Sequence, residues 1–180
     1  DVNPWTFSLL RYWLKSVFVP VDRKSSVVNA VIHHSNKKLS TYFKDAVISV
    51  EDRRFYLHPG IDPIGLGRAL LFNFRSAAGT QGGSTLTQQL ARTLYLSNQR
   101  TYGRKVKEAA LAVMLEIFLS KKEILELYFN RVYLSGGIYG IETMSEKMLG
   151  KQASALTLGE AALIAGIIQA PALYSPWTHF

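Results

Sequence analysis

A chain of 180 residues is the size of one ordinary domain, and at 48% hydrophobic and 12% aromatic it has ample apolar material for a continuous core. It contains no cysteine, which excludes disulfides, thiol nucleophiles and cysteine metal sites. The formal charge of +8, from 21 Lys and Arg against 13 Asp and Glu, favours polyanionic partners such as phosphates, nucleic acid or an anionic membrane surface.

Residues 1–39 read as an N-terminal segment set apart from a domain over 40–180. The apolar stretch 5–20 is interrupted by Arg11 and Lys15, so it falls short of the ~20 apolar residues of a membrane span and does not resemble a signal peptide. Its aromatic residues and two cations suit a helix lying in a membrane interface, and suit equally an element packed on the core. Residues 21–38 are polar and basic, with few period cues, and read as an extended or mobile stretch. From Thr41 the pattern turns helical: Phe43, Ala46, Val47 and Val50 share one face, with His58-Pro59-Gly60 as the terminating turn. Asp62 then caps a helix with Pro63 at its first position. Three further starts carry capping boxes, Thr85 with Gln88, Ser120 with Glu123 and Thr157 with Glu160. The segment from Leu158 to Gln169 is apolar nearly all round, as expected of a helix buried on every side, and Pro171 stops it. These signals predict a mainly α domain.

Three segments carry candidate chemistry. In EDRRFYLHPGID (51–62), Glu51 lies one turn beyond Val47, so its carboxylate emerges beside the apolar stripe, partly shielded from water as a general base requires; the plainer reading is a solvated, charged helix end. In GTQGGSTLTQQLAR (79–92), Gly82 and Gly83 allow close approach of a ligand, and Ser84 and Thr85 stand at a helix start whose N–H groups and dipole suit a phosphate; the same residues also make an ordinary loop and cap. In RTYGRKVKEAALAVMLE (100–116), Arg100, Arg104 and Glu108 recur on one stripe, with Val106, Ala110, Val113 and Ile117 expected towards the core. Arg104 and Glu108 form either a surface pair or, with Lys105 or Lys107, a site for a phosphate-bearing leaving group. A base, several cations and a glycine-lined helix start suit glycosyl transfer from a pyrophosphate donor. No metal motif is evident: His33, His34, His58 and His179 lack zinc spacing, and His58 reads as a packed turn residue.

Read together and in order, these segments resemble the peptidoglycan glycosyltransferases of family 51. EDRRFYLHPGID looks like the first family motif, GGSTLTQQ (82–89) the second and RKVKEAALAVMLE (104–116) the third; KKEILELYFNRVYLSGGIYGIE (121–142) and AALIAGIIQAPALYSP (161–176) look like the fourth and fifth. The resemblance implies a lysozyme-like helical fold with a small membrane-proximal subregion, at the periplasmic or extracytoplasmic face of the cytoplasmic membrane. It implies that Glu51 deprotonates the 4-hydroxyl of an acceptor N-acetylglucosamine, which attacks the lipid-linked muramyl residue of the growing glycan chain. Inversion then gives a β-1,4 bond and releases undecaprenyl pyrophosphate, so lipid II and the growing lipid-linked chain are the expected partners. Glu108 would be the second essential carboxylate, as an acid or as an organiser of Arg104 and Lys107, while Arg68, Ser84, Thr85, Gln89, Arg92 and Lys105 match positions lining the substrate cleft. The family often has Lys where Arg92 stands, and TMSEKMLGK (143–151) departs from its usual alanine run and aromatic pair. No cofactor is required on this reading, although a divalent cation such as magnesium would suit the pyrophosphate. The sequence is expected to be a trimmed form or a fragment of a longer protein; the family occurs alone or joined to a transpeptidase domain, and the sequence leaves open whether that domain or other cell-wall synthesis proteins are its companions.

Two other readings compete. A lysozyme-like hydrolase or lytic transglycosylase would use carboxylates to cut glycan, but Arg92, Arg104, Lys105 and Lys107 are then superfluous. A non-catalytic basic helical module would bind nucleic acid or anionic lipid through a broad cationic surface that does not converge with two glutamates, and its nucleic-acid affinity would fall steeply with salt; nucleic acid is not an expected partner. SNKK (35–38) matches a transpeptidase motif by letter alone.

Overall fold

The computed structural model describes residues 40–75, 82–96, 101–169 and 174. The expectations for residues 1–39 lie outside the described residues. Among those described, the chain is mainly α, in keeping with the sequence. Seven α-helices run as α1 (Thr41–Glu51), α2 (Pro63–Arg75), α3 (Leu86–Tyr95), α4 (Tyr102–Phe118), α5 (Lys121–Arg131), α6 (Ile141–Leu149) and α7 (Leu158–Gln169). A short hairpin of β1 (Tyr133–Ser135) and β2 (Ile138–Tyr139) lies between α5 and α6.

The helix starts are where the capping signals put them. The Thr85 hydroxyl accepts from the Gln88 N–H while the Gln88 side chain accepts from the Thr85 N–H, and Ser120 and Glu123 repeat the exchange at α5. Thr157 donates both its N–H and its hydroxyl to Glu160, at 2.9 Å each. Asp62 Oδ1 accepts the Ile64 N–H at 3.1 Å and so caps α2.

Helix α1 packs along α7, and α3 lies against both α4 and α5. Their apolar faces meet in one core that includes Phe43, Leu86, Leu90, Leu111, Leu115, Ile124, Phe129 and Ile164. Burying each such side chain stabilises the fold by roughly 1.5–3 kcal/mol. Phe43 and Phe129 meet edge-on with centroids 5.1 Å apart, tying α1 to α5.

Five features depart from the sequence reading. Helix α1 ends at Glu51, well before the His58-Pro59-Gly60 turn, because Asp52 leaves helical geometry (φ −155°, ψ 71°) to spend its carboxylate on neighbouring elements. Ile48, and not Val50, joins Phe43 and Val47 in the core. On α4 the expected core stripe is the outer one: Val106 and Ile117 are each 70% exposed, while Glu108, Leu111, Ala112 and Leu115 are buried. The polar stripe turns inward there because Glu108 brings its own cations with it. Helix α7 is covered on one side only, with Leu158 and Leu163 exposed. The hairpin was not expected, since strands of three and two residues are too short to show a period; Gly136 and Gly137 (φ 56° and 74°) supply the left-handed pair that a tight turn needs.

Candidate active site

The end of α1 faces a cleft of about 410 Å³ whose lining includes Glu51, Arg54, Arg68, Ser84, Thr85 and Gln169. Glu51 is half-buried there. Its Oε2 accepts from Gln89 Nε2 at 2.7 Å, and no protein group among the described residues engages Oε1. The next residue, Asp52, is buried and spends its carboxylate on the protein itself. Its carboxylate accepts the Leu86 N–H at 3.0 Å, at the first turn of α3, and pairs with His58 Nε2 at 3.0 Å. Asp52 therefore pins the last turn of α1 to the start of α3, which fixes where Glu51 emerges. The helix start expected to cradle an anion thus has part of its capacity taken by the protein's own carboxylate.

The loop between α1 and α2 is held at three further points. Arg54 forks onto the Asp62 carboxylate, with Nε donating to Oδ2 at 3.1 Å. Burial alone would push that carboxyl up, but the backbone N–H of Gly65 and the Arg54 guanidinium outweigh it and hold Asp62 below the usual carboxylate range. Gly60 has φ +92° and rests on the α4 backbone, where an added Cβ would lie 2.7 Å from the Ala112 carbonyl oxygen. Its own carbonyl accepts the Thr85 hydroxyl at 2.6 Å. Lys121 closes the back of the loop, donating to the His58 carbonyl and to Glu116 at 2.7 Å each, with its ammonium 4.4 Å from the centre of the Phe55 ring.

Behind Ser84 lies the second cluster. Glu108 is wholly buried, with Oε2 accepting from Arg104 Nη1 at 2.6 Å and Oε1 from Lys105 Nζ. Lys105 also donates to Ser84 Oγ at 2.7 Å and so touches the cleft lining, with Arg104 joined to it through Glu108. Arg104 Nε is buried without an acceptor among the described residues. A buried, unpaired guanidinium donor beside a cleft is suited to an incoming anion.

The structure thus brings together Glu51, Arg68, Ser84 and Thr85 along the cleft, Gln89 on Glu51, and Arg104, Lys105 and Glu108 behind Ser84. Arg92 is half-buried one turn beyond Gln89, close enough to Tyr128 to act on its phenol. Lys107 is exposed on α4 and makes no hydrogen bond or ion pair among the described residues. Sequence reasoning missed Asp52, the Arg54 and Asp62 fork, and Tyr128, whose hydroxyl donates to Gln89 Oε1 at 3.1 Å. For Asp52 and Arg54 the charged string EDRR holds the cue, since half of it is inward; for Tyr128 a separation of 39 residues leaves none. Among the described residues, no group of three or more His, Asp or Glu is placed to hold a metal ion, and no helix is long and apolar enough to cross a membrane.

Comparison with known proteins bears on this arrangement. The profile of the transglycosylase family matches residues 22–180. Penicillin-binding protein 1A of Aquifex aeolicus is 46% identical over 142 residues, which cover 79% of this chain and 20% of that protein. The Vibrio cholerae protein of the same name is 49% identical over 132 residues (73% and 16%), and penicillin-binding protein 1A/1B of Bacillus subtilis is 48% identical over 134 residues (74% and 15%). The matched part is therefore a fifth or less of the length of these relatives.

Proposed function

This chain belongs to the transglycosylase family, and from that premise we propose that it is a peptidoglycan glycosyltransferase that polymerises a lipid-linked disaccharide, lipid II, into β-1,4 glycan strands. Glu51 is the base. Its open Oε1 takes the proton of the acceptor 4-hydroxyl as that oxygen bonds to the anomeric carbon of the lipid-linked muramyl residue. The carbon inverts, the bond to the pyrophosphate breaks, and the electron pair leaves with undecaprenyl pyrophosphate.

The observation that carries this reading is the Ser84 hydroxyl, which lines the cleft that Glu51 faces and bonds Lys105 of the cation pair behind it. That contact supports a base and leaving-group cations acting on one bound substrate. Glu108 organises those cations and is not an acid, since both its oxygens are engaged and it has no exposed surface. Arg68 and Arg92 add positive charge towards the pyrophosphate. A divalent cation such as magnesium would be held by the pyrophosphate oxygens of the substrate and would supply charge neutralisation to the leaving group.

Helix α2 supports a membrane-side orientation: Ile64, Leu70, Leu71 and Phe74 are 60–92% exposed, and with Phe72 they flank Arg68 and Arg75. Apolar side chains with cations among them suit the extracytoplasmic surface of a lipid bilayer, where a lipid-linked substrate resides. This is the small membrane-proximal subregion of the reading. The test is incubation of the purified chain with labelled lipid-linked disaccharide in detergent, followed by product sizing. Long glycan from the wild type and none from Glu51→Gln is the expected result; cleavage of preformed glycan without synthesis would replace the reading with a hydrolase.

A further inference from the structure

Gln89 uses both ends of its amide within the protein. Nε2 donates to Glu51 Oε2 at 2.7 Å, and Oε1 accepts from Tyr128 Oη at 3.1 Å. A glutamine amide can turn over, and in the turned state its carbonyl oxygen would face the Glu51 carboxylate, acceptor against acceptor. The acceptor-only Glu51 carboxylate selects the orientation seen, and among the described residues the Tyr128 hydroxyl is the donor that reaches Oε1 and holds the far end of the amide in it. Tyr128 is itself fixed: only 2% of its surface is exposed, it lies on α5 amid the core, and its ring meets Phe129 edge-on at 5.8 Å. Burial first, and then the negative charge of Glu51, push its phenol far above the ordinary range against the opposing pull of Arg92, so the hydroxyl keeps its proton.

We infer that Tyr128 is a positioning residue for the glycosyl transfer: its hydroxyl fixes the Gln89 amide so that the amide holds Glu51 Oε2 and leaves Oε1 to the acceptor hydroxyl. The inference rests on Glu51 being the base. Tyr128 does not touch substrate, because its surface is buried behind Gln89. Its influence passes through one amide, so it disappears when that amide is absent.

The experiment is a double-mutant comparison of wild type, Tyr128→Phe, Gln89→Leu and the double variant, assayed for polymer formation from labelled lipid-linked disaccharide, with near-UV circular dichroism to normalise for folded protein. Tyr128→Phe should lower kcat roughly 10-fold with KM little changed, the size expected from loosening a reacting group without removing it. In the Gln89→Leu background the same change should cost nothing further. A wild-type rate in Tyr128→Phe overturns the inference, as does a loss that multiplies with that of Gln89→Leu, which would make the hydroxyl a packing feature independent of Gln89. Glu51→Gln, run alongside, separates the two levels. If it polymerises, the reading of the base falls and Tyr128's role with it; if it is dead while Tyr128→Phe is normal, only the role of Tyr128 falls.

Discussion

At the end of α1, Glu51 gives one oxygen to the Gln89 amide and keeps the other towards the cleft. On α4, Glu108 has no exposed surface and both its oxygens are taken by cations. The two carboxylates carry the same charge, so charge does not separate their work. Access does: Glu51 is open to a group in the cleft, as the proposed base must be, whereas Glu108 can reach such a group only through the cations it holds.

The comparison breaks most readily at Glu108. Removing it in Glu108→Ala leaves Arg104 and Lys105 side by side without their counter-charge, and unfolding by urea should show a loss of about 3–5 kcal/mol, nearer the lower figure because Lys105 is partly exposed. Glu51→Ala should cost under about 1 kcal/mol, since a half-buried carboxylate with one amide partner gives up little. Equal losses at the two positions would erase the distinction. The seam between the regions is Gly60, and Gly60→Ala combines a left-handed backbone with a methyl driven into the Ala112 carbonyl. Chemical denaturation should register about 2–3 kcal/mol there, with activity falling as the α1–α2 loop lifts from α4.

A smaller effect sharpens the loop side. Asp62 sits below its ordinary carboxyl value, so its stabilising pair with Arg54 is complete above ~4 and fades as pH falls through the lowered folded value. Asp62→Asn should therefore lose about 1 kcal/mol at pH 7 and nothing relative to wild type at the acid end; a difference independent of pH would refute the ion-pair account. Smallest of all is Val106→Ser on the outer stripe of α4, which thermal unfolding should find within about 0.5 kcal/mol of wild type. A loss of several kcal/mol would restore that stripe to the core.

The mainly α fold was legible because capping is local: Thr85 and Gln88, or Thr157 and Glu160, make their bonds within three residues, and the sequence displays both partners. Orientation was less so. On α4 a rule that sends apolar residues inward fails because Glu108 is buried together with Arg104 and Lys105, and the hidden surface accepts the ion cluster while leaving Val106 and Ile117 outside. On α7, uniform apolarity cannot say which side is covered. At the site, the motifs point to Glu51 and Glu108 as chemically meaningful, yet not to Asp52 bracing α3 or Tyr128 reaching Gln89, because those contacts join residues 34 and 39 positions apart. Such pairings exist only once α1, α3 and α5 have packed.

The buried Glu108 also couples readiness to integrity. An anion with no exposed surface is tolerable only while Arg104 and Lys105 are in place, and Lys105 is in place against Ser84 only when α4 has docked beside the start of α3. A partly opened chain loses the cation cluster behind Ser84 and its own structural support in the same event. On the proposed function, the fraction of protein able to grip a pyrophosphate should therefore track the fully folded fraction, with no half-competent species between them.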